Sequence, residues 1–420
     1  MQDVTFQNQI LNSPEPDRRR FLKRGVALGA ALATAGRPMP SPAQPAPDDP
    51  SKVLGGPIRP YGERSRFDQT SRERSPFSKT DEVAGSRTPL DQTLGIITPS
   101  ALHFEVHRSG VPDIDPRKHR LLIHGMVDRS VMLTMEEISR LPSTSRILFL
   151  ECGGNTFTEW REPKGKTVQG THGATSCSEW TGVPLALLLR EAGVRTGAAW
   201  LLAEGADGSG NERSIPLAKA LDDVLVAYGQ NGEALRPENG YPLRLIVPGW
   251  TGNISVKWLR RIKVVDRPYL TRMDGAGQPI VMPDGKARHL ASVMEAKSVI
   301  TSPSGGHRLP GPGFYEIRGL AWSGRGLVRQ IEVSTDGGRH WREARLQSPV
   351  LPFAHTRFRL DWRWDGREVV LQSRCTDETG YVQPTLAQLV KVRGLNSRLF
   401  NNAIQSWKVA NDGNVSNVHA

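Results

Sequence analysis

The sequence predicts an α+β chain in two parts, a mixed helix-and-strand domain over residues 93–291 and an immunoglobulin-like β-sandwich over residues 292–412. Three observations predict it. A chain of 420 residues forms two hydrophobic cores more readily than one. Between roughly 95 and 290, apolar runs of strand length alternate with helical stretches and glycine-rich loops. After about residue 292 the helical patterning stops, and short strands of period-two alternation recur between turns.

The first 46 residues read as an address. Asp17-Arg-Arg-Arg-Phe-Leu-Lys-Arg24 precedes a weakly apolar run, Gly25–Gly36, which is too short to span a bilayer. Consecutive arginines before such a run resemble a twin-arginine export signal, with cleavage after Ala35, Ala43 or Ala46. An ordinary secretory signal or a basic arm is the alternative. Residues 47–92, rich in Pro, Ser, Arg and Asp, form an extended lead-in.

In the first domain, His119–Val127 is a strand and Thr134–Pro142 a short helix. There Thr134 is the N-cap, Glu137 completes a capping box and Pro142 stops the helix. An apolar strand, Ile147–Glu151, stops abruptly at Cys152-Gly-Gly-Asn155. Leu185–Gly193 is a helix closed by its glycine, and Trp200–Asp207 a strand running into a loop. Ile215–Asp222 and Val224–Tyr228 give a short helix and a strand, followed by strands at Tyr241–Gly249 and Ser255–Val265. In the second domain, Phe314–Trp322, Val328–Ser334 and Val369–Thr376 are strands, with Asp336-Gly-Gly as a hairpin turn between Val333 and Trp341. Residues 413–420 are a tail.

Formal net charge is +12; six Lys/Arg and three Asp/Glu precede residue 40, so about +9 remains without that segment. A basic body suits an anionic cofactor, substrate or partner. No dense Lys/Arg stripe interleaved with aromatics argues for nucleic acid. The three cysteines, Cys152, Cys177 and Cys375, form no Cys-x-x-Cys, which argues against a zinc ribbon, a cluster site or a covalent haem in this chain. Cys177 and Cys375 stand as either a disulfide or two buried thiols. Cys152, at a strand end beside two glycines that let another group approach, stands as a metal ligand or nucleophile; a buried core thiol is the alternative.

Glu-Cys-Gly-Gly-Asn (151–155), Ser178-Glu-Trp-Thr-Gly-Val-Pro-Leu, Tyr241-Pro-Leu-Arg-Leu-Ile-Val-Pro-Gly and Ser255-Val-Lys-Trp resemble motifs of the sulfite oxidase family of molybdenum enzymes. Thr171-His-Gly-Ala-Thr-Ser-Cys-Ser-Glu-Trp180, Met294-Glu-Ala-Lys-Ser-Val-Ile300 and Ile404-Gln-Ser-Trp-Lys-Val409 are similar to its sulfane dehydrogenase branch, from the periplasmic thiosulfate-oxidising Sox system. The resemblance implies a molybdopterin cofactor in the first domain, with molybdenum bound by Cys152. It implies cofactor-binding places at Phe104, His107, Arg108, Asn155, Asp207, Asn239, Arg244, Ser255, Val256 and Lys257. Arg244 and Lys257 suit the pterin phosphate, Gly153 and Gly154 would admit the cofactor, and Asn155 would bond behind the metal ligand.

Val106 stands where the family has a substrate-holding arginine, and Asn239 where it has a histidine. Tyr269 is only near the place of an active-site tyrosine. Cys152, His107 and Arg108 are then the candidate catalytic group. His172 stands as an entrance residue or a surface-loop histidine. Arg357 and Arg359 reach a substrate channel or lie on a solvated strand face.

The function expected is periplasmic, molybdenum-dependent oxidation of sulfane sulfur on a carrier-protein cysteine, with water as oxygen source. Electrons would leave to a separate cytochrome c subunit, and the sandwich would mediate a homodimer within a hetero-oligomer. Two alternatives stand beside it: a stand-alone sulfite dehydrogenase, and a non-catalytic exported binding module.

Overall fold

The structure, a computed structural model, describes residues 54–271, 280–281, 284–288, 293–395 and 399–419. The expected export signal lies outside the described residues. The chain divides into two units, Met1–Phe67 and Asp68–Ala420. Residues 54–67 of the first contain no helix or strand.

The second unit begins differently from the extended lead-in expected. Glu73–Arg74, Gly85–Arg87 and Glu105–Val106 pair into a small antiparallel sheet that delivers residues 103–108. Two five-stranded sheets follow. In one, Thr144–Glu151, Thr175–Pro184, Leu225–Gln230 and Glu233–Ala234 lie side by side, with Arg244–Ile246 also pairing to Leu225–Gln230. In the other the order is Val131–Thr134, Arg120–Gly125, Leu259–Val265, Trp200–Gly205, Glu212–Pro216; the Arg120–Gly125 and Leu259–Val265 pairing is parallel.

Local signals act as expected in the helices. Met135–Arg140 carries both bonds of the capping box between Thr134 and Glu137. Leu185–Ala192 ends at Gly193, whose φ of 71° only glycine adopts cheaply. Ile215 and Pro216, expected to open a helix, instead close the strand Glu212–Pro216, and the helix is Leu217–Asp222.

The sandwich stacks a four-stranded sheet, Lys297–Ser302, Gly313–Trp322, Thr356–Trp364 and Arg345–Gln347, on a five-stranded one. The latter is Arg342–Glu343, Val328–Ser334, Val369–Asp377, Ser406–Val409 and Val415–Val418. Val415–Val418 pairs antiparallel with Ser406–Val409, so the expected tail is an edge strand. The Asp336 turn joins paired residues Val333 and Arg342.

The first domain has apolar clusters of its own, and a third cluster crosses the junction between the domains. A single apolar cluster holds Phe149 and Cys177 with Trp322, Phe358 and Trp407. Main-chain bonds run across the junction: the Phe149 N–H donates to Phe353 O at 2.8 Å, and the Met294 N–H to Gly249 O at 2.9 Å. The strand that ends at Cys152 thus meets the sandwich at Phe149 and Glu151. No helix among the described residues is long and apolar enough to cross a membrane.

Candidate functional site

Strand Thr144–Glu151 stops because the chain turns back tightly after Cys152. The Cys152 N–H donates to Ala174 O (2.9 Å), and the Asn155 N–H donates to Cys152 O (2.8 Å). Cys152 is half-buried at the wall of a cleft, and its sulfur accepts a bond from the Gly154 amide. Burial pushes this thiol's pKa up, while the Gly154 bond, Arg108 and Lys297 pull it back. All three cysteines are free, and Cys177 and Cys375 are buried, so the disulfide alternative fails. Burial raises the Cys177 thiol to about 12 and Cys375 further still, so both are inert hydrophobes.

The two glycines play different parts. A Cβ at Gly153 would sit 3.1 Å from Thr251 Oγ1 and 3.3 Å from the Phe400 ring. Protein packing therefore crowds Gly153, which also lines the cleft. A Cβ at Gly154 would make only ordinary contacts, 3.7 Å from Cys152 Sγ and from Leu399.

The cleft encloses about 1070 Å³, solvent at its mouth included. Cys152 lies at one place on its wall; elsewhere the wall holds an unusual pair of cations. Arg244 is buried, and its Nη1 and Nη2 donate to Asn239 O (2.7 Å) and Ser255 O (3.0 Å), while Nε has no partner. Its guanidinium lies 5.0 Å from the Trp180 ring centre. Lys257 Nζ donates to Glu238 O (2.9 Å), Val106 O (3.2 Å) and His107 Nδ1 (3.1 Å). Among the described residues neither cation has a carboxylate partner. Burial lowers Arg244 to about 9, and burial followed by repulsion from Arg244 lowers Lys257 to about 7.

Three carboxylates, Glu105, Asp207 and Glu238, oppose that loss of charge on Lys257 in part. Since Lys257 can only donate to His107 Nδ1, His107 Nε2 carries the hydrogen and donates to Glu105 Oε2 at 2.8 Å. Although burial works against it, Glu105 is held below the usual carboxylate range by His107 and Arg72. His103 is buried and neutral, its pKa lowered to about 3 by burial and by Arg244. Its Nδ1 donates to Phe104 O at 2.8 Å, and Nε2 is left without a partner. Two adjacent cations with no carboxylate in ion-pair contact among the described residues, with an orphaned guanidinium nitrogen and an orphaned imidazole nitrogen, fit an anionic ligand with polar edges. A phosphorylated pterin is such a ligand.

Of the residues expected from sequence, Phe104, His107, Arg108, Cys152, Asp207, Asn239, Arg244, Ser255 and Lys257 line this cleft. Arg108 is exposed yet close enough to ease ionisation of Cys152. Two do not line it. Asn155 is buried behind the turn, its Nδ2 donating to Glu151 Oε1 (2.9 Å) and its Oδ1 accepting from the Ala174 N–H (3.1 Å). The Val256 side chain is in the apolar core, which fixes Ser255 and Lys257 on either side of it. Ser255–Trp258 is loop, not strand: Trp258 has φ of 54°, and the strand starts at Leu259. His172 is neither entrance nor surface, being buried at the end of helix Val168–His172. Arg357 is buried, donating to Gly95 O and Thr93 O, and Arg359 pairs with Glu316; neither lines the cleft, and nor does Tyr269.

Sequence reasoning missed His103, Glu105, Glu238 and Arg213 in the wall. Arg213 had a signal: in strand Glu212–Pro216 it shares a face with buried Ile215, and an inward arginine in an alternating strand marks a polar interior. Its Nε donates to Asn253 O at 3.1 Å.

Residues 108–273 match the family model described as oxidoreductase molybdopterin binding domain, and residues 288–407 that described as Mo-co oxidoreductase dimerisation domain. Mitochondrial sulfite oxidase of Rattus norvegicus is 33% identical over 338 residues, covering 74% of this chain and 61% of that protein. Sulfite oxidase of Gallus gallus is 30% identical over 389 residues, covering 85% of this chain and 81% of that protein. The crystal structure of the sulfane dehydrogenase SoxCD from Paracoccus pantotrophus matches with a TM-score of 0.87 and 43% identity, over 92% of this chain and 100% of the matched one. The chain thus spans 61% of the length of the rat protein and nearly the whole of the bacterial one. By sequence, by fold and by the cleft that the two bring together, this chain belongs to the sulfite oxidase family of molybdopterin oxidoreductases.

Proposed function

We propose that the chain is an exported, molybdopterin-dependent oxidoreductase that oxidises sulfur, with sulfane sulfur on a carrier-protein cysteine as substrate and a cytochrome c subunit as electron acceptor. The observation that carries the reading is one cleft with a single accessible thiol on its wall and, elsewhere in it, two adjacent cations with no carboxylate in ion-pair contact among the described residues. Arg244 and Lys257 hold the pterin phosphate, as a fork and a point charge. Asn239 and Ser255 present the carbonyls that aim Arg244. His107 fixes Lys257 and lies at the anion end. Asp207, bonded by Ser209 and by the Asn211 amide, holds the rim. Cys152 is the metal ligand, and a lone thiolate suffices because the dithiolene brings its own two sulfurs. When bound, the group supplies a molybdenum centre that takes two electrons from sulfur and draws its oxygen from water. Arg108, exposed at the Cys152 side, steers and orients an anionic sulfur substrate.

The likeness to a sulfane dehydrogenase over the matched chain's full length, and Val106 in place of the family's arginine, support carrier-bound substrate. Likeness to the rat and chicken sulfite oxidases supports the second reading, free sulfite. The dimerisation-domain match supports a homodimer through the sandwich. Export by the twin-arginine route rests on residues 17–36.

Metal analysis of the purified protein, paired with assays on carrier persulfide, thiosulfate and sulfite, tests the proposal. About one molybdenum per chain with carrier-dependent turnover is expected. Turnover of free sulfite alone selects the second reading, and absence of molybdenum leaves a binding module.

A further inference from the structure

Behind Cys152 the chain buries a complete ion pair that the proposed chemistry does not use. Glu151, the residue before the thiol, and Lys297, on the first strand of the sandwich, have side chains 0% and 2% exposed. Lys297 Nζ donates to Glu151 Oε1 at 2.6 Å, and Asn155 Nδ2 donates to the same oxygen at 2.9 Å. Glu151 Oε2 accepts from Trp322 Nε1 at 2.7 Å, and Lys297 reaches Thr156 Oγ1 at 3.4 Å. Both carboxylate oxygens are thus used, two of their partners come from the second domain, and the pair brackets the turn that carries the thiol.

That turn is strained. Thr156 has φ of 65°, which a β-branched residue adopts only when its surroundings impose it. The imposing contacts are again from the sandwich side: Thr156 Oγ1 donates to Asn401 O at 2.5 Å, and the Phe400 N–H donates to Gly153 O at 2.8 Å. Burying a carboxylate and an ammonium together is poor stabilisation, since a well-packed apolar pair does as well or better. Directional hydrogen bonding is what an apolar pair cannot supply.

We propose that Glu151 and Lys297, with Trp322, are positioning residues for Cys152: the sandwich domain aims the thiol through them. This rests on the reading of Cys152 as the metal ligand. Lys297 and Trp322 fix the Glu151 carboxylate, the carboxylate fixes the Asn155 amide, and the Asn155 N–H fixes the Cys152 carbonyl. The direction of the sulfur is then set by residues 145 and 170 positions further along the chain, and the second domain is half of the site's scaffold.

The test compares Glu151→Gln and Lys297→Met with a control elsewhere between the domains, Arg357→Met. The control removes the bonds from Arg357 to Gly95 O (2.8 Å) and Thr93 O (3.0 Å) but touches neither the turn nor the cleft. In the cofactor-free full chain, amide exchange of Gly153–Thr156 should speed up about tenfold in both pair variants and not in the control. In protein loaded with cofactor, both should keep wild-type molybdenum content, show a shifted paramagnetic spectrum of the half-reduced metal, and lose roughly 10- to 100-fold in kcat with KM within about twofold. The double variant should be no worse than the weaker single one, because the two act as a unit. Lys297→Arg, which keeps the charge but not the geometry, should shift the spectrum as well and serves if Glu151→Gln does not accumulate. An unshifted spectrum and unchanged exchange, with only the melting temperature lowered as in the control, would make the pair a structural staple and overturn the proposal. A wild-type chain without molybdenum refutes the function instead, and the exchange result still decides the role of the pair.

Discussion

Replacing Lys257 by Met should make the cofactor-free protein more stable while destroying its ability to keep the cofactor. The ammonium lies beside Arg244, bonded to two carbonyls and one imidazole and 4.4 Å from the Trp258 ring centre, and its pKa falls from 10.5 to about 7, by burial first and by Arg244 second, against the pull of Glu105, Asp207 and Glu238. In the unfolded chain the same group titrates near 10.4. Above pH 7 the folded state therefore binds fewer protons than the unfolded one, so wild-type stability rises with pH between about 7 and about 10. Below pH 7 the group is charged in both states and the full penalty is present. One proton's difference is worth about 1.4 kcal/mol per pH unit. Taking about half of that for an ammonium partly reached by solvent, the penalty relieved between pH 7 and pH 9 is roughly 1–2 kcal/mol. Lys257→Met removes the charge, so its advantage over wild type at pH 6.5 should shrink by about 1–2 kcal/mol by pH 9, roughly 2–4 °C in Tm, and vanish only above about pH 10. Urea unfolding at the two pH values, on chains made without cofactor, measures it. The same variant made with cofactor available should carry less than about a tenth of the wild-type pterin. A gain that grows with pH, or full pterin loading in the variant, would refute the view that this cation exists for an anion.

Three other outcomes follow from the same geometry. Cys152→Ser should abolish turnover yet retain most of the pterin and lie within about 1 kcal/mol of wild type in urea, because the side chain is at a cleft wall. Val106→Arg, at a position 48% exposed on the cleft rim, should lower KM for free sulfite by about tenfold while slowing carrier-bound turnover, read from steady-state kinetics on both substrates. Thr134→Ala removes the N-cap bond to Glu137 far from the cleft, so it should cost about 1 kcal/mol of stability and leave molybdenum content unchanged.

What the sequence revealed was local. The capping box at Thr134, the glycine stop at Gly193 and the strand ending at Cys152 depend on residues within a few positions of one another, and all three stand in the structure. Arg244, Ser255 and Lys257 came from the resemblance of two motifs, and the structure brings all three to the cleft. The ion pair behind the thiol was not, because Glu151 and Lys297 are 146 residues apart and nothing in either neighbourhood announces the other. Gly153 was assigned to ligand approach alone because its crowding comes from Phe400, again a distant residue. Asn155 was named both as a cofactor-binding place and as a bond behind the metal ligand, and the structure puts it in the second position, its amide held inward by Glu151 and Ala174. Val256 shows the limit of a motif read as a string: the loop turns it into the apolar core between two cleft residues. The strand at Val415–Val418 escaped notice because it is short and polar, and it exists only through pairing with Ser406–Val409.

The central claim is that Cys152 gives its sulfur to molybdenum. X-ray absorption at the molybdenum edge, on wild type and Cys152→Ser loaded alike, tests it most directly. Three sulfur neighbours in wild type and two in the variant are predicted; the same number in both, or no metal in the wild type, would contradict it.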